Sequence, residues 1–413
     1  MRVLLFTQFY PPEVGATQFR MEYFARHLAE AGHEVTVITE VPNHPAGVIH
    51  PEYRGSLWRA STENGIRVIR LWVATSPQKT FFTRLGFYLT YACGATLAAL
   101  LVAGRRHDVV FLTSPPLTVG IPGLVYSWLR RVPLVLDVRD LWPVLAVEMG
   151  EMRNPRVIAL ARRLEVLLYR RAARITVVTR GFARYVREHG VGEDRILLLP
   201  NGVEPEVFHP AAPDGDLQRE LGLDGKFVVG FYGNHGIAQD LEGVLDAARL
   251  LASDDRIRFL FVGEGPVKSA LVARRLQEGL RHVTFLPQVP QATILRYVSL
   301  ATVVIVPLRK LELFKTFIPS KMFDFLACAK PVVLSVDGEA RQILEESGGG
   351  IFVPPGDPQA LADTLRHLAG SSQGTLAETG EAGRAYVSRH YRRKDQAARL
   401  EQLLLSLTRS RSS

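Results

Sequence analysis

Two short apolar runs, one beginning at Val3 and the other at Phe227, each lead through a glycine-bearing loop into a stretch with helical apolar spacing. The first reads VLLFTQFYPPEVGATQFRMEYFARHLAEAGHEVTVIT and the second FVVGFYGNHGIAQDLEGVLDAARLL. An unbroken apolar run is a strand buried on both faces, and the helix after it must cross over to deliver a parallel neighbour. Two such openings restrict the chain to an α/β architecture of two doubly wound parallel-sheet halves. Ligands of such sheets sit at the carboxyl ends of the strands, so a cleft between the halves is where function is expected.

The alternation supports two domains. Strands are expected at 3–7, 34–39, 66–72, 109–113, 134–138 and 175–179, with a last one in LLLPNGV, and again at 227–231, 259–262, 283–286, 302–306, 332–334 and 350–353. The polar, proline-bearing stretch 205–225 reads as a linker. The expected domains are therefore 1–204 and 205–385, with a C-terminal helix and tail, 386–413, returning to the first. At 413 residues and 47% hydrophobic content, each half can bury a core of its own.

Charge and cysteine content narrow the classes. Lys and Arg number 50 against 41 Asp and Glu, and the excess is uneven: 153–187 holds ten Arg and one acid, Glu165. Such clustering attracts phosphates and anionic lipid. It lacks the interleaved aromatics on which single-stranded nucleic acid stacks, so no nucleic-acid partner is expected. Cys93 and Cys328 fall in different halves with no paired spacing, which suggests neither a disulfide framework nor a zinc cluster. With no signal-peptide pattern at the amino terminus, a cytoplasmic protein is expected. One run, 85–103, has nineteen residues without a charge and is flanked by Arg84 and by Arg105 and Arg106. A membrane span is one reading. The uninterrupted βα alternation favours a helix of the first domain, with Phe81, Phe82 and the arginines offering a peripheral contact with an anionic membrane.

Phosphate needs converging donors, and small residues before a helix let a ligand approach the backbone. GNHG supplies Gly233, Asn234 and Gly236 after the first strand of the second half. Ser320 and Lys321 open the helix SKMFDFLACAK, where Lys321 adds a full cation, and Asp324 lies one turn on and can accept hydrogen bonds from vicinal sugar hydroxyls. Arg309, Lys310 and Lys315, in the preceding loop, are further cations. In the first half Gly15 precedes the first helix, His44 follows the second strand, and DVRDLWP places Arg139 and Asp140 at a strand end. HExxH, CxxC, a complete Walker A and a complete GxGxxG are absent, and the one DxD, Asp214 to Asp216, sits in the expected linker. No metal site and no cofactor are expected.

These segments, in order, give the chain a resemblance to the GT-B glycosyltransferases of family 4. It runs nearly the full length, through FYPPEVGATQFR, VPNHPAGVIHPEYRG, TSPPL, DVRDLWP, PNGV, FYGNHGIAQDLE, VGEGP, PSKMFDFLACAKPVV, GEA and IFVPPGDP. More narrowly, the chain is similar to the L-fucosamine-type transferases of O-antigen and capsule assembly. The resemblance implies a nucleotide-sugar donor, a UDP-sugar, in the second domain and a lipid-linked or saccharide acceptor in the first. Transfer is then retaining and metal-independent. By position, Gly233 and Asn234 would lie against the diphosphate, Glu264 with Leu286 and Pro287 near the base, Asp324 at the ribose and Glu339 near the donor sugar and phosphates. Arg139 stands where many relatives have a histidine, and Asp140 keeps the acid beside it. The family's two glutamates eight residues apart are here Thr316 and Asp324, so the first acid is missing. A sugar-nucleotide 2-epimerase and an inactive GT-B scaffold remain as alternatives.

Overall fold

The computed structural model describes residues 1–13, 15–43, 47–78, 81–104 and 106–409; His44 and the side chains of Phe81 and Phe82 lie outside the described residues. The chain divides into two compact units, Met1–Asn201 with the segment from Lys394, and Gly202–Arg393.

The first unit is built on eight strands: β1 (Arg2–Phe6), β2 (Glu34–Glu40), β3 (Trp58–Glu63), β4 (Ile66–Leu71), β5 (Val109–Ser114), β6 (Leu134–Val138), β7 (Arg174–Val177) and β8 (Ile196–Leu198). Their order is β3-β4-β2-β1-β5-β6-β7-β8. All pair in parallel except β3, which runs antiparallel to β4 at the edge. In the centre, Leu4 of β1 faces Thr36 on one side and Val110 on the other, and both faces of β1 are buried, as its unbroken apolar run requires. Strand β3 was not expected from its polar sequence WRASTE. Its signal was the turn: Asn64 and Gly65 both take positive φ, at 52° and 77°, the pairing that closes a two-residue hairpin.

The uncharged run forms the helix Phe81–Leu101. Tyr91, Ala92, Ala95, Ala98 and Ala99 face inward, and the Tyr91 hydroxyl donates to the carbonyls of Thr7 and Ile38 at 2.9 and 3.0 Å. Leu85, Leu89, Leu97 and Leu101 remain exposed on the other side. Over Thr83–Leu101 only 28% of the window is buried, so this helix packs one face on the sheet and leaves the other without cover among the described residues.

The second unit carries β9 (Phe227–Tyr232), β10 (Ile257–Val262), β11 (Val283–Leu286), β12 (Val303–Pro307), β13 (Val332–Ser335) and β14 (Gly350–Phe352), in the order β11-β10-β9-β12-β13-β14 and all parallel. The stretch read as a linker belongs to this unit. It contains a helix, Gly215–Glu220, capped by Asp214, whose carboxylate accepts from the Leu217 N–H at 3.0 Å and pairs with Arg296 at 2.8 Å. The acids of the DxD sequence thus serve a helix start, as Asp does at such positions.

Candidate active site

Strands β9 and β12 are neighbours, and the loops at their carboxyl ends meet the start of the helix Lys321–Ala327. Glycine is required there by close approach. A Cβ on Gly263 would lie 1.9 Å from the Gly233 carbonyl oxygen, and one on Gly265 would lie 2.4 Å from that of His235. Gly233 itself takes φ 123° and donates its N–H to Val262 O at 2.9 Å.

Lys321 reaches into this loop. Its Nζ donates to Gln239 Oε1 at 3.0 Å, stands 4.1 Å from the centroid of the Phe231 ring, and lies 3.6 Å from where a Gly233 Cβ would sit. Among the described residues no carboxylate pairs with it. Burial alone lowers its pKa to about 7. The full cation expected at this helix start is thereby corrected: this ammonium is desolvated, stacked on an aromatic face and, among the described residues, without an anion.

Asp324 occupies the same short helix one turn on. Its Oδ1 is buried and has no hydrogen-bond partner among the described residues. Burial pushes its carboxyl up to about 7, with Arg393 opposing and Glu204 reinforcing the shift. Those two form an ion pair with each other, and Arg393 also donates to Gly202 O at 3.0 Å. Lys321 and Asp324 thus approach the same pKa from opposite sides, each because its charged form lacks solvent. The Ser320 side chain makes no capping hydrogen bond, so its contribution is its position before Lys321.

On the β10–β11 side, Glu264 pairs with Lys268 at 2.6 Å, and the same ammonium donates to Gly263 O at 2.8 Å and Leu286 O at 2.9 Å. Lys268 therefore ties together the loops that carry Glu264, Leu286 and Pro287. It went unnoticed in sequence because its three partners lie on two different strand ends. His235, in the middle of GNHG, is fully buried among Phe231, Phe261 and Phe285. Burial, then Lys268 and Lys321, lowers its pKa to about 4, so it is neutral and fills the loop's base. Asn234 stays exposed, while Gly236 precedes a turn, Ile237–Gln239, that carries Gln239 to Lys321. Glu339 begins the helix Glu339–Ser347 at the end of β13, after Gly338, whose φ is 83°.

In the first unit, Arg139 follows β6. Its Nε donates to Thr113 Oγ1 at 2.6 Å and its Nη2 to Pro115 O at 3.3 Å, and burial lowers its pKa. Asp140, raised to about 6 by burial and held back by Arg139, forms no ion pair with it among the described residues. The buried ion pair of this region is a different one. Arg20 grips Asp137 with two bonds of 2.9 and 3.0 Å and also donates to Leu199 O at 2.9 Å, joining the first helix to β6 and to the chain after β8. Gly15 precedes the helix Ala16–Glu30 in extended conformation, where a Cβ would lie 2.6 Å from Gln18 Oε1. Among the described residues no group of three or more His, Cys, Asp or Glu could hold a metal ion.

Residues 15–202 match the Glycosyl transferase 4-like domain, and residues 226–371 match the Glycosyl transferases group 1 domain. The chain is made of two glycosyltransferase domains. The probable glycosyltransferase WbjE of Pseudomonas aeruginosa is 27% identical over 70% of this chain and 72% of that protein. The putative colanic acid biosynthesis glycosyl transferase WcaI of Escherichia coli is 26% identical over 89% of this chain and 91% of its own. Among solved structures, HepE of Anabaena in complex with UDP and glucose superposes with a TM-score of 0.73 at 16% identity, covering 98% of this chain and 100% of that one. The glycosyltransferase domains therefore adopt the GT-B type of α/β fold, as the resemblance implied.

Proposed function

We propose that this glycosyltransferase moves a sugar from a UDP-sugar held by the second unit to a lipid-linked saccharide acceptor, with retention and without a metal ion, in cell-surface polysaccharide synthesis. The observation that carries the reading is the Lys321 ammonium, desolvated, paired with no carboxylate among the described residues and turned onto a glycine loop at the end of β9. A nucleotide diphosphate supplies the missing anion, and as the sugar departs the same cation stabilises the charge that develops on the leaving phosphate. Asp324 takes the ribose hydroxyls on its unpartnered Oδ1, and the departing phosphate accepts the proton of an acceptor that attacks on the leaving-group face. Gly233, Asn234 and Gly236 admit the diphosphate, Glu264, Leu286 and Pro287 border the base, Glu339 faces the donor sugar, and Gly15, Arg139 and Asp140 serve the acceptor. The complexes of HepE with UDP-glucose, and the polysaccharide role in the name of WcaI, support this assignment. An L-fucosamine-type transferase of O-antigen or capsule assembly would be one instance of it.

The first unit suits a lipid-linked acceptor. The helix Phe81–Leu101 packs beside Gly120–Arg130, on which Trp128 is 72% exposed. Helix Pro155–Arg171 adds exposed Arg156, Arg162, Arg163, Arg170 and Arg171. Apolar side chains flanked by cations are the composition of a peripheral contact with an anionic bilayer. Thermal denaturation across UDP, GDP, ADP and dTDP tests the donor half of the reading. UDP at 100 times its dissociation constant should add about 2.7 kcal/mol, and at the same UDP concentration Lys321→Met should show a smaller shift. No stabilisation by any of the four refutes the reading.

A further inference from the structure

A pocket of about 310 Å³ opens at the carboxyl ends of β12, β13 and β14. The sheet order places it on the opposite side of the Gly233 loop from Glu264 and Leu286, so a donor whose base lies on the β10–β11 side directs its sugar toward this pocket. The two sites are physically joined: the Arg309 N–H donates to Ala238 O at 2.9 Å, in the turn that also carries Gln239 to Lys321. Leu308, Phe314 and Val336 give the pocket an apolar floor. Four cations line it, Arg309, Lys310, Lys315 and Arg341, against two acids, Glu312 and Asp337.

Both acids are already engaged. Lys315 pairs with Glu312 at 2.9 Å, and Arg341, lying 4.1 Å over the Phe352 ring, pairs with Asp337 at 3.7 Å. Among the described residues no carboxylate comes within ion-pair distance of Arg309 or Lys310. Thr316 lies in the same loop, and its hydroxyl donates to Leu313 O at 2.7 Å. A hexose hydroxyl both donates and accepts, whereas an ionised carboxylate only accepts, and Arg309 and Lys310 offer donors and a positive charge that no carboxylate among the described residues pairs with. Paired, planar donors fit a carboxylate.

We propose that this pocket receives the donor sugar and that the sugar carries a carboxylate, making the donor a nucleoside diphosphate hexuronate. This inference rests on the donor reading above. The test is titration calorimetry of the full chain with UDP, UDP-glucose, UDP-glucuronate and UDP-galacturonate, alongside the Arg309→Ala/Lys310→Ala double variant, whose side chains are exposed. One hexuronate should bind at least about tenfold more tightly than UDP-glucose, the size of one charge-assisted contact. The double variant should lose that preference and keep UDP affinity within about twofold. Equal binding of hexuronate and glucose donors, or a preference that survives the double variant, overturns the inference and leaves the donor reading standing. Equal weakening of UDP and hexuronate in the variant also overturns it, because the cations then serve the diphosphate. Failure of UDP itself to bind removes the donor reading and this inference together.

Discussion

If Lys321 waits for an anion, binding UDP must change its protonation. Burial holds its pKa at about 7, against 10.5 for an ordinary lysine. At pH 8 about one-tenth of the free protein then carries the proton, and a diphosphate placed beside Nζ restores the charged form, so binding takes up about 0.9 proton. The sign for stability follows from the same shift. The folded pKa lies below the unfolded one, so the cost is fully present below pH 7 and is relieved as pH rises from 7 toward 10.5. At pH 8 the cost is at most about 3 kcal/mol. Lys321→Met keeps the stem over Phe231 and removes the charge, so the unliganded variant should melt higher than the parent at pH 8, by a margin that shrinks toward pH 10. Calorimetric titration of UDP at pH 8 in two buffers of different ionisation enthalpy measures the proton uptake. Uptake near one in the parent and near zero in Lys321→Met is expected. Equal proton counts in the two proteins would mean that Lys321 takes up no proton when UDP binds.

Asp324→Asn should trade affinity for stability. The carboxyl's folded pKa, about 7, exceeds the ordinary 3.8, so its cost is absent below that value and complete above pH 7. The variant should therefore melt higher at pH 8 and lose that advantage near pH 4, while its affinity for UDP falls by roughly 1 to 3 kcal/mol with the charge-assisted ribose contact; undiminished UDP affinity, measured by titration, removes the assignment. Arg20→Met leaves the fully buried Asp137 without its cation, and denaturant unfolding should show a loss of about 3 to 5 kcal/mol. A loss below 1 kcal/mol would mean that Thr113 and Thr176 satisfy that carboxylate unaided. Flotation with anionic vesicles should recover the protein at low salt and less of it at high salt, because the arginines are screened while the leucines are not. No recovery at either ionic strength removes the membrane contact from the account.

The parallel strands were legible because burial on both faces leaves an unbroken apolar run, as in β1, β9 and β12. The edge strand β3 was not, since WRASTE alternates weakly and its evidence lay in the Asn64-Gly65 turn. Composition misread 205–225, where polar residues pack a helix onto the second unit through Asp214 and Arg296, a contact between positions 82 residues apart. The candidate site divides in the same way. Gly233, Lys321 and Asp324 could be picked from their places after strands or at a helix start. Their chemistry could not, because the desolvation of Lys321 depends on Phe231 and Gln239, and that of Asp324 on burial near Arg393 and Glu204. Arg20 and Lys268 were invisible for the same reason, their partners being distant in the chain or spread over several strand ends.

The most direct measurement is a crystal structure of the chain with UDP, read at one contact. A β-phosphate oxygen is expected about 3 Å from Lys321 Nζ, with a ribose hydroxyl on Asp324 Oδ1. UDP bound elsewhere, with Lys321 still resting on Gln239 and no phosphate beside it, would mean that Lys321 is not the cation for the diphosphate.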